Sequence, residues 1–174
     1  DRPFVQKEIR WARKYNKRII VVFEHDERRA GHFDFAAAWQ KYGGTEWEFL
    51  LNIDAIPYQR DEDYAEVMVT KIRKKAEGAP AAEAAVPSIN SPGTWDFFLS
   101  HAQATGGDQT QTTSLRLKAA GKTVWYDNAM LDRSTAAMEE GVKHSGCFVL
   151  FLTGDKKPAP KQTPAEAALA PALA

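Results

Sequence analysis

The chain has 174 residues, which suffices for one domain with a substantial core but hardly for two. Its 23 Lys and Arg residues balance its 23 Asp and Glu residues, so the formal net charge is zero. Proteins that bind nucleic acid or anionic membranes usually carry a strong basic field, so we expect neither partner. The single cysteine, Cys147, excludes an internal disulfide, and its apolar surroundings predict a buried, inert thiol.

The ends and the hydropathy of the chain bear on its location. No apolar run approaches the roughly 18 residues of a membrane-spanning helix, and the start does not resemble a signal peptide. We therefore expect a soluble, cytoplasmic protein. Because the sequence opens on Asp1 rather than Met, we also expect an excised or processed piece of a longer protein.

The first 76 residues alternate between helical and strand patterns. Helical spacing over 4–15 places Val5, Ile9 and Ala12 on one stripe. The β-branched run Arg18–Phe23 predicts a central parallel strand that is buried on both faces. Further helices are predicted at 33–42, 45–51 and 61–75, and a short edge strand at 53–58.

Glu8 lies on the apolar side of the first predicted helix. Its neighbours three and four positions away on that helix are Phe4, Val5, Trp11 and Ala12. A carboxylate among such neighbours is either a functional group or a partly buried acid near a helix N-terminus, where the helix dipole favours it. The residue pattern leaves both interpretations open.

A polar loop follows the first strand and contains His25, Asp26, Glu27, His32 and Asp34. These residue types bind metals, but they have no regular ligand spacing and the run is strongly charged. The pattern therefore predicts a solvated loop, and we expect no metal site.

Two stretches have no core-forming pattern. Residues 77–94 are dominated by Ala, Pro, Gly and Ser, which predicts a linker. Residues 156–174 are rich in Ala, Pro and Lys, which predicts a low-complexity, poorly ordered tail.

The remaining segment, 95–155, begins with an apolar strand and a polar turn. Ser100, His101, Gly106 and Gly107 occupy that turn, where hydroxyl and backbone N–H groups suit a nucleotide or its phosphates. Without a recognised glycine motif, a plain strand-to-helix turn explains these residues equally well. Helices are then predicted at 109–120 and 134–144, strands at 123–126 and 147–152, and a polar loop at 128–134.

Five strands that alternate with helices predict a flavodoxin-like α/β fold. The sheet is expected to be open and parallel, with right-handed crossovers that place helices on both faces.

Taken in order, these motifs resemble a known family. The segment 95–155, with WDFFLS, TVWYD and SGCFVLFL, resembles the first half of a TIR (Toll/interleukin-1 receptor) domain. The segment 4–75, with FVQKEI and RIIVVFE, resembles the second half of the same domain, beginning at its third helix. The two halves, 1–76 and 95–155, stand in reversed order.

Two explanations fit the reversed order. Either the domain is circularly permuted, with 77–94 joining its original ends, or the chain spans the tail of one TIR unit and the head of the next in a tandem array. An 18-residue linker reaches about 50 to 60 Å when extended, so permutation is geometrically permitted. Isolated halves would expose a central strand edge, which favours a permuted domain or completion by exchange with another copy.

The resemblance implies an activity and its residues. Some TIR domains cleave the N-glycosidic bond of NAD+ with a glutamate on the helix that here begins at Phe4, which makes Glu8 the implied catalytic residue. Phe4 stands where enzymatic relatives often have Trp. A frequent Arg after the first strand is absent, with Ala102 near that place. Asp127 and Leu131 flank a loop that in TIR domains mediates self-association or gates the site.

Three functional hypotheses follow. The first is an NAD+ glycohydrolase that releases nicotinamide and ADP-ribose products, with NAD+ as substrate and no cofactor required. The second is a non-enzymatic interaction module that binds other TIR domains, as a homo-oligomer, through the loop 128–134 and a basic helix face. The third is a generic flavodoxin-like nucleotide binder, which a yellow bound cofactor would reveal. The basic face comprises Lys7, Arg10, Arg13 and Lys14.

Overall fold

The computed structural model describes residues 3–29 and 31–155. Over these residues helices and strands alternate, whereas the predicted tail at 156–174 lies outside them. The elements are α1 (Pro3–Lys14), β1 (Arg18–Phe23), α2 (Phe35–Tyr42), α3 (Glu48–Leu51), β2 (Ile56–Pro57), α4 (Glu62–Ala76), β3 (Trp95–Ser100), α5 (Gly107–Ala119), β4 (Val124–Trp125), a 3-10 helix (Asp127–Ala129), α6 (Thr135–Lys143) and β5 (Ser145–Leu152).

The strands form one parallel sheet in the order β2-β1-β5-β3-β4. Let the strands be renumbered 1 to 5 in the sequence β3, β4, β5, β1 and β2. Their order across the sheet, from β4 to β2, is then 2-1-3-4-5. That is the strand order of flavodoxin-like folds. The predicted fold class, an open parallel five-stranded α/β sheet, is confirmed.

The two segments at 1–76 and 95–155 meet in the middle of this sheet. Strand β1 pairs with β5 from Arg18 opposite Cys147 to Phe23 opposite Leu152. Both strands are nearly continuous apolar runs, as expected for strands that are covered on both faces. One chain therefore supplies all five strands of the sheet.

Alternating side chains divide the core between two faces of the sheet. Ile20, Val22 and Leu99 pack under α4 and α5, whereas Phe98 and Phe148 pack under α1 and α6. The Phe98 ring stacks on Phe148 and on the indole of Trp125, with centroids 5.5 and 4.4 Å apart. Cys147 is buried, as predicted, and burial raises the pKa of its thiol.

Some boundaries differ from the sequence prediction. Helix α2 begins at Phe35 rather than at 33, because the Asp34 side chain caps it by accepting a hydrogen bond from the Ala37 N–H at 3.1 Å. Strand β2 has only two residues, and Pro57 lacks the N–H that would extend the ladder. Strand β5 begins at Ser145, two residues before the predicted start.

Residues 77–94 contain no helix or strand. They nevertheless pack on the domain, since the Asn90 side chain is buried and bonded to the loop that follows β4. The stretch that composition marks as a linker is thus anchored in its second half.

Candidate functional site

The carboxyl ends of β3 and β5 lie side by side, since Ser100, the last residue of β3, pairs with Leu150 of β5. In the 2-1-3-4-5 order these two strands flank the point where the chain turns to opposite sides of the sheet. Ligands of open α/β folds bind in the crevice at such a switch point. The candidate site is therefore sought around the end of β3 and the elements that cover it.

Glu8 reaches this edge from α1. Glu8 is 8 % exposed, and its carboxyl Oε2 accepts a hydrogen bond of 2.6 Å from the Ser100 hydroxyl. Ser100 is itself buried at the last position of β3. The structure thus brings together two of the predicted site residues, one from each half of the chain.

The surroundings of Glu8 make its ionisation costly. Burial raises the pKa of the Glu8 carboxyl from 4.5 to about 8, although the Ser100 hydrogen bond opposes the rise. The negative charge of Asp127 raises the pKa of Glu8 further. In this conformation Glu8 is mostly protonated at neutral pH. A buried carboxyl with such a perturbed pKa is a candidate functional group.

His101 follows Ser100 and is also buried. Its ring centroid lies 5.7 Å from that of Tyr126, and its Nε2 atom has no hydrogen-bond partner within the protein. Burial lowers the pKa of His101, while Asp127 and a hydrogen bond with Gln103 oppose this effect. A neutral imidazole is therefore favoured at this position.

Asp127 ties the loop after β4 to the turn after β3. Its carboxylate accepts hydrogen bonds from the Gln103 side-chain amide and, at 2.8 Å, from the Asn128 N–H. Because Asp127 affects the pKa of both Glu8 and His101, it belongs to the same electrostatic cluster. Gln103 is a member of this cluster that sequence analysis missed, since only the folded turn directs it toward Asp127.

Phe4 and Leu131, two further predicted site residues, are both exposed. Phe4 is 57 % exposed one turn before Glu8 on α1, with the Lys7 ammonium 5.5 Å from its ring centroid. Leu131 is fully exposed on its loop, whereas the preceding Met130 packs inward against the α1 side of the core. Neither Phe4 nor Leu131 covers Glu8 in this conformation.

The two glycines of the turn differ from each other. Gly106 packs closely, since a Cβ there would lie 3.1 Å from the His101 Cβ, and its N–H donates to the Ala102 carbonyl at 2.8 Å. That N–H is therefore already used within the turn. Gly107 begins α5, and a Cβ at this position would meet nothing within 4 Å. Only Gly106 has a steric reason to be glycine.

A second buried carboxylate, Glu24, lies on the opposite face of the sheet. It pairs with the Arg60 guanidinium at 2.6 Å and accepts a 2.9 Å hydrogen bond from the Gln109 amide. Sequence analysis did not identify Glu24, although a glutamate directly after the apolar run of β1 could have been recognised as a candidate site residue. Since α4 and α5 cover that face, Glu24 belongs to a separate cluster.

A cavity of about 590 Å³ opens beside α1 and the turn after β3, where Ile9 and Ala102 contribute to its lining. Its floor is apolar and includes Ile9, Leu50 and Leu150, while Arg29 and Lys41 contribute to its rim. This volume is in the range of small-molecule sites. Glu8 and Ser100 do not line the cavity, so access to Glu8 requires a local movement.

Within the described ranges, no group of three or more His, Cys, Asp or Glu side chains is placed to hold a metal ion. Among the same residues, no helix is long and apolar enough to cross a membrane. Comparisons of the chain with protein-family models, curated proteins and solved structures give no match. A functional assignment therefore rests on the site geometry and on the motif resemblance.

Proposed function

We propose that the chain is a TIR-like NAD+ glycohydrolase in which Glu8 is the catalytic residue. The observation that carries the proposal is the 2.6 Å hydrogen bond between Ser100 and the buried Glu8 carboxyl at the switch point of the sheet. It joins the helix motif FVQKEI to the strand motif WDFFLS, the two motifs on which the resemblance depends.

One carboxylate suffices for this reaction. Most glycosidases need a general acid for a poor leaving group as well as a second carboxylate for the oxocarbenium-like sugar. Nicotinamide leaves NAD+ as a neutral molecule, because the ring nitrogen recovers the electron pair of the broken C–N bond. Water then attacks C1′ of the ribose and loses a proton, which gives ADP-ribose. Glu8 would stabilise the positive charge that develops on the ribose.

The raised pKa of Glu8 is compatible with this role, because the nicotinamide ring of the substrate carries a positive charge. With a pKa of about 8, Glu8 is mostly protonated at neutral pH. A cationic nicotinamide ring next to the carboxyl favours the ionised form, so binding of NAD+ would be accompanied by loss of a proton. The buried surroundings then strengthen the attraction between the carboxylate and the ribosyl cation.

The test compares nicotinamide release by three proteins of equal concentration. Glu8→Gln keeps the size of the side chain and an acceptor for Ser100 but lacks the charge. Glu66→Gln, at an exposed position of α4 on the other face of the sheet, is the matched control. We expect release by the unaltered protein and by Glu66→Gln, and about 100-fold less by Glu8→Gln. Equal release by all three would exclude Glu8 as the catalytic group.

A second function, self-association without catalysis, is supported by one specific observation. Leu131 is a fully exposed apolar side chain on a loop that is tied down at Asp127, so its burial against a second copy would remove apolar surface from water. The basic face of α1 gives weaker support to self-association, because two of its cations already pair within the chain. Arg10 pairs with Glu46 at 2.7 Å and Lys14 with Glu139 at 2.8 Å.

Light scattering after size exclusion tests the assembly hypothesis. Concentration-dependent oligomers that Leu131→Asp abolishes would support it. Leu115→Asp, which alters an exposed leucine of α5, is the control. A monomer at all concentrations would exclude self-association, whatever the outcome of the NAD+ assay.

A further inference from the structure

The cavity of about 590 Å³ beside α1 is a space between helices and strand ends. Here called the side cavity, it is bounded by α1, α2, α3 and the loops that follow β1 and β5. Ile9, Ala38 and Leu50 contribute to its apolar floor. Glu8 and Ser100 do not line it, so the groups of the proposed reaction lie outside this space.

Small side chains of α2 account for the space. The helix begins with the sequence FAAAW, in which Ala37 and Ala38 line the side cavity and Ala36 does not. Because an alanine methyl group extends only a short way from its helix, it leaves the space between α2 and the end of β5 open. Protein interiors are otherwise closely packed, and a volume of this size is in the range of small-molecule sites.

Two crossing loops fix one wall of the side cavity. The Gly154 N–H, after β5, donates to the Gly31 carbonyl, after β1, at 2.8 Å. A Cβ at Gly154 would collide with the His32 carbonyl oxygen, and Gly31 has a φ of 85°, so both positions favour glycine. The same loop ends at Asp34, which caps α2. Backbone contacts and a helix cap therefore set the position of α2.

Aromatic rings form much of the remaining wall. Phe33, Tyr42 and Trp47 line the side cavity and are partly buried. Aromatic side chains favour stacked or edge-on contacts with other rings. Together with the aliphatic floor, they form a lining that suits a flat, apolar ring compound better than a polar one.

The charged side chains of the lining carry both signs, with an excess of carboxylates. One of the two cations, Arg29, also lies 3.8 Å from the carboxylate of Asp26, which is not part of the lining. This balance disfavours an anionic ligand. A cation would lose its hydration over the apolar floor, and the exposed carboxylates attract it only weakly. The carboxylates are those of Glu27, Asp34 and Asp155, the cations are Arg29 and Lys41, and His32 also lines the cavity.

From this lining we propose that the side cavity binds an uncharged, largely apolar ring compound. A molecule of about two or three rings fits a volume of this order. Its rings pack on the aliphatic floor and against the aromatic wall, and removal of apolar surface from water supplies the binding free energy. The inference does not rest on the proposed function.

The test titrates the full 174-residue chain with N-phenylnaphthylamine, an uncharged probe whose fluorescence rises in apolar surroundings. Anilinonaphthalenesulfonate is the matched probe, since it has the same rings and an added sulfonate. Ala37→Trp places an indole at a lining position of α2, whereas Ala36→Trp adds the same indole at an exposed neighbour outside the lining. Urea denaturation shows whether both variants are folded.

We expect the unaltered chain to bind the uncharged probe saturably, with one molecule per chain. Affinity should fall about tenfold in Ala37→Trp and stay unchanged in Ala36→Trp, because only the first indole occupies the side cavity. The sulfonate probe should bind the unaltered chain about fivefold more weakly than the uncharged probe. The bound uncharged probe should slow amide exchange in α2 and leave exchange in α5 unchanged.

The outcomes that overturn the proposal are distinct. Absence of binding, equal affinity in folded Ala37→Trp and Ala36→Trp, or slowed exchange only outside α1, α2 and α3 would each exclude the side cavity as the site. The exchange result decides this without any variant. Tighter binding of the sulfonate would exclude an uncharged ligand.

Competition with NAD+ separates this proposal from the proposed function. We expect NAD+ not to displace the uncharged probe, because Glu8 and Ser100 lie outside the side cavity. Displacement would mean that the cavity is part of the NAD+ site and would overturn a second site. Probe binding without nicotinamide release would contradict only the proposed function, and release without probe binding only the second site.

Discussion

Ser100 and Glu8 lie 92 positions apart in the chain and share a hydrogen bond of 2.6 Å. Each is buried, and each comes from a different one of the two segments that meet in the sheet. The bond therefore depends on the correct pairing of β1 with β5 and on the packing of α1 over β3. Any activity that requires Glu8 also requires this folded arrangement.

The first prediction concerns the pH dependence of NAD+ cleavage. In the proposed reaction only the ionised form of Glu8 stabilises the ribosyl cation, and burial raises the pKa of the Glu8 carboxyl to about 8. We expect kcat/KM for nicotinamide release to rise with pH, about tenfold per pH unit below 7, and to level off above about 8. Initial rates at fixed ionic strength from pH 5.5 to 9.5 measure this. A flat profile, or one that levels off near pH 5, contradicts the assigned role of Glu8.

The second prediction concerns the Ser100 hydroxyl. Its hydrogen bond lowers the pKa of Glu8, so Ser100→Ala should raise that pKa further and move the pH profile to higher pH. At pH 7 the variant should therefore release nicotinamide more slowly, with part of the loss recovered at pH 9. Ser114→Ala, at a buried serine of α5, is the control. A pH-independent loss in Ser100→Ala would mean that the hydroxyl only supports packing.

The third prediction concerns stability. Between pH 4.5 and about 8 the unfolded chain carries an ionised Glu8, while the folded chain keeps it protonated. The folded state then binds more protons, so this group lowers the free energy of unfolding as pH rises, by up to about 4 kcal/mol at pH 8.

Glu8→Gln lacks this titration. In urea denaturation it should therefore be more stable than the unaltered protein at pH 8, and the difference should shrink toward pH 5. A difference that is constant over this range would contradict a raised pKa of Glu8.

The fourth prediction concerns Gly141 of α6. A Cβ at this position would lie 2.5 Å from the indole Nε1 of Trp125, a fully buried ring. Gly141→Ala should therefore destabilise the fold by about 1 to 3 kcal/mol through overpacking. Gly107→Ala is the control, because its new Cβ meets open space at the start of α5. Chemical denaturation of the two variants measures this, and equal stabilities would contradict the packing described here.

The sequence predicts the sheet well because its signals are local. The run Arg18–Phe23 matches β1 at both ends, since the five consecutive apolar residues after Arg18 are typical of a buried parallel strand. Glu8 was also predictable as a buried acid, because its apolar neighbours lie on the same helix. Helical periodicity alone placed it on the inner face.

The contacts of Asn90 and Gln103 were not predictable in the same way. Each is a polar residue in a stretch without periodicity, and its partner, Asp132 or Asp127, lies in a distant loop. Composition correctly describes 77–94 as lacking helix and strand, but composition does not specify which side chains dock. The same limitation applies to Glu24 and Arg60, which the fold joins across 36 positions of chain.

The most direct test of the central claim is nicotinamide release from NAD+ at pH 8 by the unaltered protein and by Glu8→Gln, after both are shown to be folded. We expect steady release by the unaltered protein and about 100-fold less by Glu8→Gln. Equal release by the two proteins, or no release by either, would contradict it.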